Sequence, residues 1–191
     1  MKPLALHKLE KEYHLHLPAE TKQLDVNSPA LEVFTDFKKH KPYVIDISTS
    51  AVDAEKLMMK AHVKMKIIVD QNDDFLGIVT LQELTGENII KQVATGLSRE
   101  EITVADLMLP KEKLQVFDYD DLETATVQDV LDTLKNEGLQ HSLVIDRDHV
   151  TIRGLISASD IARKLQIPLS LHKPLSFAEI FSVVSTAHAS K

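Results

Sequence analysis

The stretch GLISASD, residues 154–160, sets a serine three positions ahead of an aspartate, directly after a glycine and a short apolar run. Two chemistries fit that spacing. In one, Ser157 and Asp160 open a helix, their side chains satisfying amides that a first turn leaves without partners. In the other, Gly154 lets a ligand approach the backbone, the amides at the helix start meet a phosphate, and the Asp160 carboxylate accepts two bonds from the vicinal hydroxyls of a ribose. The spacing recurs at Thr80 and Glu83 in GIVTLQE, where the acid is one methylene longer. Glutamate caps as well there, but its carboxylate is displaced from where a ribose would be gripped.

Other chemistries find little footing. The chain has no cysteine, which excludes disulfides, thiol nucleophiles and cysteine metal sites. No G-x-S-x-G elbow, phosphate-binding Walker loop, dinucleotide glycine fingerprint or H-E-x-x-H pair occurs, and five glycines leave little room for a glycine-rich loop. In YHLHL (13–17), His14 and His16 would point the same way from a strand, but no third metal ligand accompanies them. A half-buried strand with Tyr13, Leu15 and Leu17 inward is the better account. The residues therefore favour binding over catalysis, with no metal site and no required cofactor.

With 22 basic and 29 acidic residues the net charge is −7, which repels nucleic-acid backbones and anionic lipid surfaces. An anionic small ligand needs a local positive feature. Met1 to Leu17 is broken by charged residues, so no signal-peptide core forms, and no apolar run reaches membrane-spanning length. The expectation is a soluble cytoplasmic protein.

The elements that position the candidate residues come twice. SAVDAEKLMMKA (50–61) and TVQDVLDTLKNE (126–137) both begin with a hydroxyl residue followed three positions later by aspartate, and both predict capped helices. The second shows Val127, Val130, Leu131 and Leu134 on one face and Gly138 as its stop; the first has the weaker stripe Ala51, Ala54, Leu57, Met58 and Ala61. Each helix leads to a β-branched strand ending in aspartate, KIIVD (66–70) or SLVID (142–146), then a polar turn and a second strand, FLGIVT (75–80) or IRGLIS (152–157). A helical stretch, LQELTGENIIKQVA or ASDIARKL, closes each hairpin. Upstream, SPALEVF (28–34) and TVADLML (103–109) predict short helices, and YVIDIS and LQVFDY predict strands. Each half thus reads helix, strand, helix, strand, strand, helix. Neither half can bury both faces alone, so the two should pack together.

In this order and twice over, the motifs resemble the tandem cystathionine-β-synthase-type (CBS) domain pair, or Bateman module, across roughly Ser28 to Ile167. TVADLMLP, GLQHSLVID (138–146) and the G-h-h-[ST]-x-x-D pattern at Gly154 to Asp160 carry the likeness. The resemblance implies an α+β fold of two repeats with pseudo-two-fold symmetry: an extension at 1–27, repeats at 28–98 and 99–167, and a second extension at 168–191. It further implies clefts between the repeats that bind AMP, ADP, ATP or S-adenosylmethionine, frequent homodimerisation, and a regulatory role. By the same resemblance Thr126, Leu139, His141 and Ser142 join Gly154, Ser157 and Asp160 around the ligand, His141 bonding phosphate most strongly when protonated. A weaker cleft would hold Ser50, Val63, Met65, Thr80 and Glu83. Lys64 and Lys66 precede the first copy's strand and could face its cleft, though such lysines are more often simply solvated. Ligand-free interaction or dimerisation scaffolding is the alternative.

Beyond the repeat, SFAEIFSVVSTA begins with Ser176 and Glu179 in capping spacing and sets Phe177, Ile180, Phe181 and Val184 on one helical face. That face suits the module's own core, a dimer mate or a client protein.

Overall fold

The structure, a computed structural model, describes residues 24–165 and, ahead of them, residues 5, 6, 8, 13 and 14. A 3-10 turn at Ala30–Glu32 precedes β1 (Thr35–Asp36), β2 (Val44–Asp46), α1 (Ala51–Ala61), β3 (Met65–Val69), β4 (Phe75–Thr80), α2 (Leu81–Thr85) and α3 (Glu87–Ala94). The second copy runs α4 (Val104–Leu107), β5 (Leu109–Pro110), a 3-10 turn at Lys111–Lys113, β6 (Phe117–Asp118), α5 (Tyr119–Thr124), α6 (Val127–Asn136), β7 (His141–Asp146), β8 (Thr151–Ser157) and α7 (Ala158–Lys164). The C-terminal segment expected to be an amphipathic helix lies outside the described residues. Of YHLHL only Tyr13 and His14 are described; neither is in a strand, and Tyr13 is exposed rather than inward.

Local chemistry accounts for the main elements. Thr126 Oγ1 accepts from the Asp129 amide at 3.2 Å while the Asp129 carboxylate accepts from the Thr126 amide at 2.8 Å, a complete capping box on α6. Val127, Val130, Leu131 and Leu134 are all buried beneath it, and Gly138 closes it at φ 66°. Helix α1 is capped by Ser50, but Leu57 points outward at 47% exposure, so its stripe reduces to Ala51, Ala54 and Met58. The stretch after β4, expected as one helical segment, is split at Gly86 into α2 and α3.

The two hairpins form as predicted, and then the repeats trade their lead-ins. One sheet has the order β2-β3-β4-β5, the other β1-β8-β7-β6. Thus β1, from the first copy, pairs with β8 of the second, and β5 pairs with β4 of the first. The turn before β1 follows suit. Ala30 and Val33 are buried with Val127 and Leu131, whereas Val104 and Leu107 are buried with Ala51, Ala54 and Met58. Val33 and Val104 are both wholly buried, which is worth about 1.5–3 kcal/mol each. Residues 28–98 and 99–167 are contiguous along the chain, but each supplies an edge strand to the other's sheet.

Two glycines make the exchange possible. A Cβ on Gly77 would lie 2.3 Å from the Leu109 carbonyl oxygen, and one on Gly154 would lie 2.3 Å from that of Thr35. The incoming edge strand crosses where the side chain is absent. Between the sheets, Met65, Ile67 and Ile78 of one meet Leu143 of the other in a shared apolar layer.

Candidate functional site

Where the sheets meet, a cleft of about 570 Å³ opens. Strand register builds its base by placing His141 opposite Ser157. The connection between β1 and β2 contributes Phe37 and Lys39 through Tyr43, the connection between α1 and β3 contributes His62, Val63 and Lys64, and α7 contributes Ser159, Asp160 and Arg163. Pro42, Tyr43, Val63, Met65 and Ile67 form an apolar wall; Lys39, Lys41, Lys64 and Arg163 bring positive charge to the rest.

The two readings of the serine–aspartate spacing divide between the copies. In the first, the Glu83 carboxylate accepts from the Thr80 amide at 2.9 Å and also from the Thr80 hydroxyl, completing a capping box on α2. In the second, Ser157 makes no capping bond; its hydroxyl shares a 2.9 Å bond with Ser159. Asp160 instead accepts from Arg163 at 2.8 Å and lines the cleft with its side chain 31% exposed. One acid is committed to its own backbone, whereas the other faces the opening.

Electrostatics corrects two expectations. Burial, reinforced by Lys64 and only partly opposed by Asp160, pushes the His141 ring down to about 4, so it is uncharged at neutral pH and can offer a phosphate a neutral donor rather than a cation. Lys66, expected to be solvated, is buried, with its ammonium 5.6 Å from the Tyr43 ring centroid, and burial lowers its proton affinity. Lys64 lines the cleft. Among the described residues no group of three or more histidines and acids could hold a metal ion, and no helix is long and apolar enough to cross a membrane.

The sequence model of the CBS domain matches residues 33–87 and 121–167, more than half of the chain. The chain belongs to the CBS domain family. Solved CBS pairs share its fold. A conserved protein of Pyrococcus horikoshii superposes with a TM-score of 0.55 at 21% identity, covering 77% of this chain and 98% of the other. CBSX2, a CBS-pair protein of Arabidopsis thaliana, superposes in its complex with AMP at a TM-score of 0.52 and 22% identity, covering 73% and 98%. The CBS domain pair of protein MJ0100, in complex with 5'-methylthioadenosine and S-adenosyl-L-methionine, gives 0.50 at 18%, covering 71% and 98%. No curated protein matches the sequence.

Within this CBS pair the cleft brings His141, Ser157 and Asp160 together with Val63 and Met65, residues expected in two separate clefts. The others stand outside it. Thr126 and Ser50 cap α6 and α1 and bridge to Pro29 and Thr103 of the exchanged lead-ins. Leu139 packs on the second core, and the buried Ser142 hydroxyl donates to the carbonyls of Leu143 at 3.0 Å and Gln115 at 3.3 Å. Gly154 lies under Phe34, so the close approach it permits is that of β1. Thr80 and Glu83 are held in their capping box.

The residues that sequence reasoning missed include Phe37, Lys39, Lys41, Pro42, Tyr43 and His62, and Ser159 and Arg163 on α7. A signal existed. FKKHKPY (37–43) gathers three lysines and a histidine between two aromatics in an otherwise acidic chain.

Proposed function

We propose that this CBS pair is a regulatory module that binds an adenine nucleotide or related adenosyl ligand in the Asp160 cleft, acting through occupancy rather than turnover. The observation that carries the reading is the division between the acids: Asp160 leaves its own helix start uncapped, while Glu83 is consumed by its cap. A carboxylate beside an apolar wall suits a ribose next to a base, and Ser157, Ser159 and neutral His141 add hydrogen-bonding groups. The complexes of CBSX2 and MJ0100 with adenosyl compounds support the ligand class. The first copy's acid, tied into its cap, supports one competent cleft per chain. Exposed apolar side chains on α1 and α3, among them Met59 and Ile90, favour a homodimer.

Calorimetric titration of the full chain with AMP tests this. One site per chain is expected, with Asp160→Ala weakening it at least about tenfold and Glu83→Ala leaving affinity unchanged while costing about 1 kcal/mol of stability. Two equal, independent sites, or full affinity in Asp160→Ala, would overturn the reading, and a titration blank for every adenosyl ligand would point to the scaffold.

A further inference from the structure

The cleft inverts the charge of the chain around it. Lys39, Lys41, Lys64 and Arg163 line it against a single carboxylate, Asp160, in a protein of net charge −7. The four cations come from three separate segments: the β1–β2 connection, the α1–β3 connection and α7. Chain folding has gathered them.

Elsewhere in the described residues lysines such as Lys60 and Lys111 form no ion pair within 4.0 Å, whereas Lys56 and Lys91 meet Asp53 and Glu87, and Arg99, Arg147 and Arg153 meet Glu55, Asp118 and Asp36. Arg163 is likewise paired with Asp160. Among the described residues, Lys39, Lys41 and Lys64 form no ion pair within 4.0 Å. Like charges held around a concave, partly apolar surface repel one another and focus a positive potential into it, and an anion entering the cleft relieves that repulsion.

Resting on the ligand reading above, we infer that the ligand is a nucleoside di- or triphosphate whose terminal phosphates lie among Lys39, Lys41 and Lys64. A nucleoside monophosphate, at about −2, leaves part of the charge of these three lysines uncompensated, whereas a di- or triphosphate matches it. S-Adenosylmethionine would place a sulfonium cation among lysines, so the same field that draws in a polyphosphate opposes it.

The test titrates the full chain with adenosine, AMP, ADP, ATP and S-adenosylmethionine without divalent cations, at low and raised salt. It is repeated on Asp160→Ala and on a Lys39→Gln, Lys41→Gln double variant. Both lysines are exposed, so the double variant should fold, and its melting curve checks that. ATP is expected to bind at least about tenfold more tightly than AMP, and the advantage should shrink with salt. The double variant should lose most of that advantage and keep its affinity for adenosine. ATP no tighter than AMP, S-adenosylmethionine as tight as ATP, or an undiminished ATP preference in the double variant would overturn the polyphosphate inference and leave the adenosyl site standing. If no adenosyl compound binds, or Asp160→Ala binds adenosine unchanged, the site itself is lost and the inference goes with it.

Discussion

Arg153 holds Asp36 through two parallel bonds of 2.9 Å each, joining residues 117 positions apart in the chain. The guanidinium also lies 4.6 Å from the Tyr119 ring centroid and 3.6 Å from the Asp146 carboxylate, and both side chains of the main pair are nearly buried, at 12% and 13% exposure. Since Asp36 is in β1 and Arg153 in β8, this fork fastens the first copy's lead-in to the second copy's sheet. It also anchors one end of the connection carrying Lys39, Lys41 and Tyr43 into the cleft.

Truncating one partner should therefore cost more than removing both. Asp36→Ala leaves a nearly buried guanidinium short of its main acceptor and is expected to destabilise by about 2–3 kcal/mol, lowering the melting temperature by roughly 5–10 °C at this chain length. An Asp36→Leu, Arg153→Met double variant should recover much of that loss. With Arg153→Met measured as well, a double-variant loss equal to the sum of the two single losses would show the pair to be uncoupled.

Acid should weaken the fold in two separable windows. The Arg153 guanidinium holds the Asp36 carboxyl at about 2, below its usual 3.8, so the unfolded chain takes up that proton first. The stability this supplies is complete above pH 4 and lost as pH falls through 2. Burial holds His141 at about 4 against an ordinary 6.5, so its contribution is complete above pH 6.5 and lost on the way down to 4. Urea midpoints across this range should show Asp36→Asn differing from the parent at neutral pH and converging near pH 2, and His141→Gln flattening only the upper window. A His141→Gln profile parallel to the parent's between pH 6.5 and 4 would contradict the second assignment.

The hairpins and capped helices were legible because their signals are local. Thr126 and Asp129, or Val127 through Leu134, declare a helix without reference to anything distant. The lead-in exchange was not legible in that way, since β1 and β5 are two residues long and their partners lie far along the chain. Its trace was present in Gly77 and Gly154, isolated in apolar strands where only a close backbone approach calls for glycine. At the site, Asp160 and His141 were readable because they belong to the repeat. Lys39 and Lys41 recur as Lys111 and Lys113, but Glu112 stands where the first copy has His40 and Gln115 where it has Tyr43, and neither Lys111 nor Lys113 lines the cleft, so repetition alone did not mark the first pair.

The glycine crossings can be tested directly. A Cβ at residue 154 would meet the Phe34 ring at 2.2 Å as well as the Thr35 oxygen, and backbone cannot swing aside as a side chain can. Gly154→Ala is expected to cost about 1–3 kcal/mol and to lift β1 from the sheet. Hydrogen exchange gives the local readout: the Phe37 amide, bonded to the Arg153 carbonyl at 2.9 Å, should lose protection before the amides of α6 do. Gly77→Ala should act in the same way on β5. Ordinary stability with full Phe37 protection would mean that the crossing accommodates a methyl group.

The hairpin turns pose one backbone problem that the copies solve unequally. Asp73 and Val150 close their turns in the left-handed region at φ 65° and 51°, each donating its amide to the carbonyl three residues back, Asp70 at 3.1 Å and Arg147 at 3.3 Å. Aspartate tolerates that region, but valine's branched side chain crowds the backbone there. At 88% exposure Val150 also gains no burial in return. Val150→Asn should therefore stabilise the protein by about 1 kcal/mol, raising the melting temperature by roughly 2–4 °C, and Asp73→Val should lower it comparably. Because the turn is remote from the cleft lining, nucleotide affinity should not change in either variant, and a melting temperature unmoved by Val150→Asn would mean that the turn relaxes its strain at no cost.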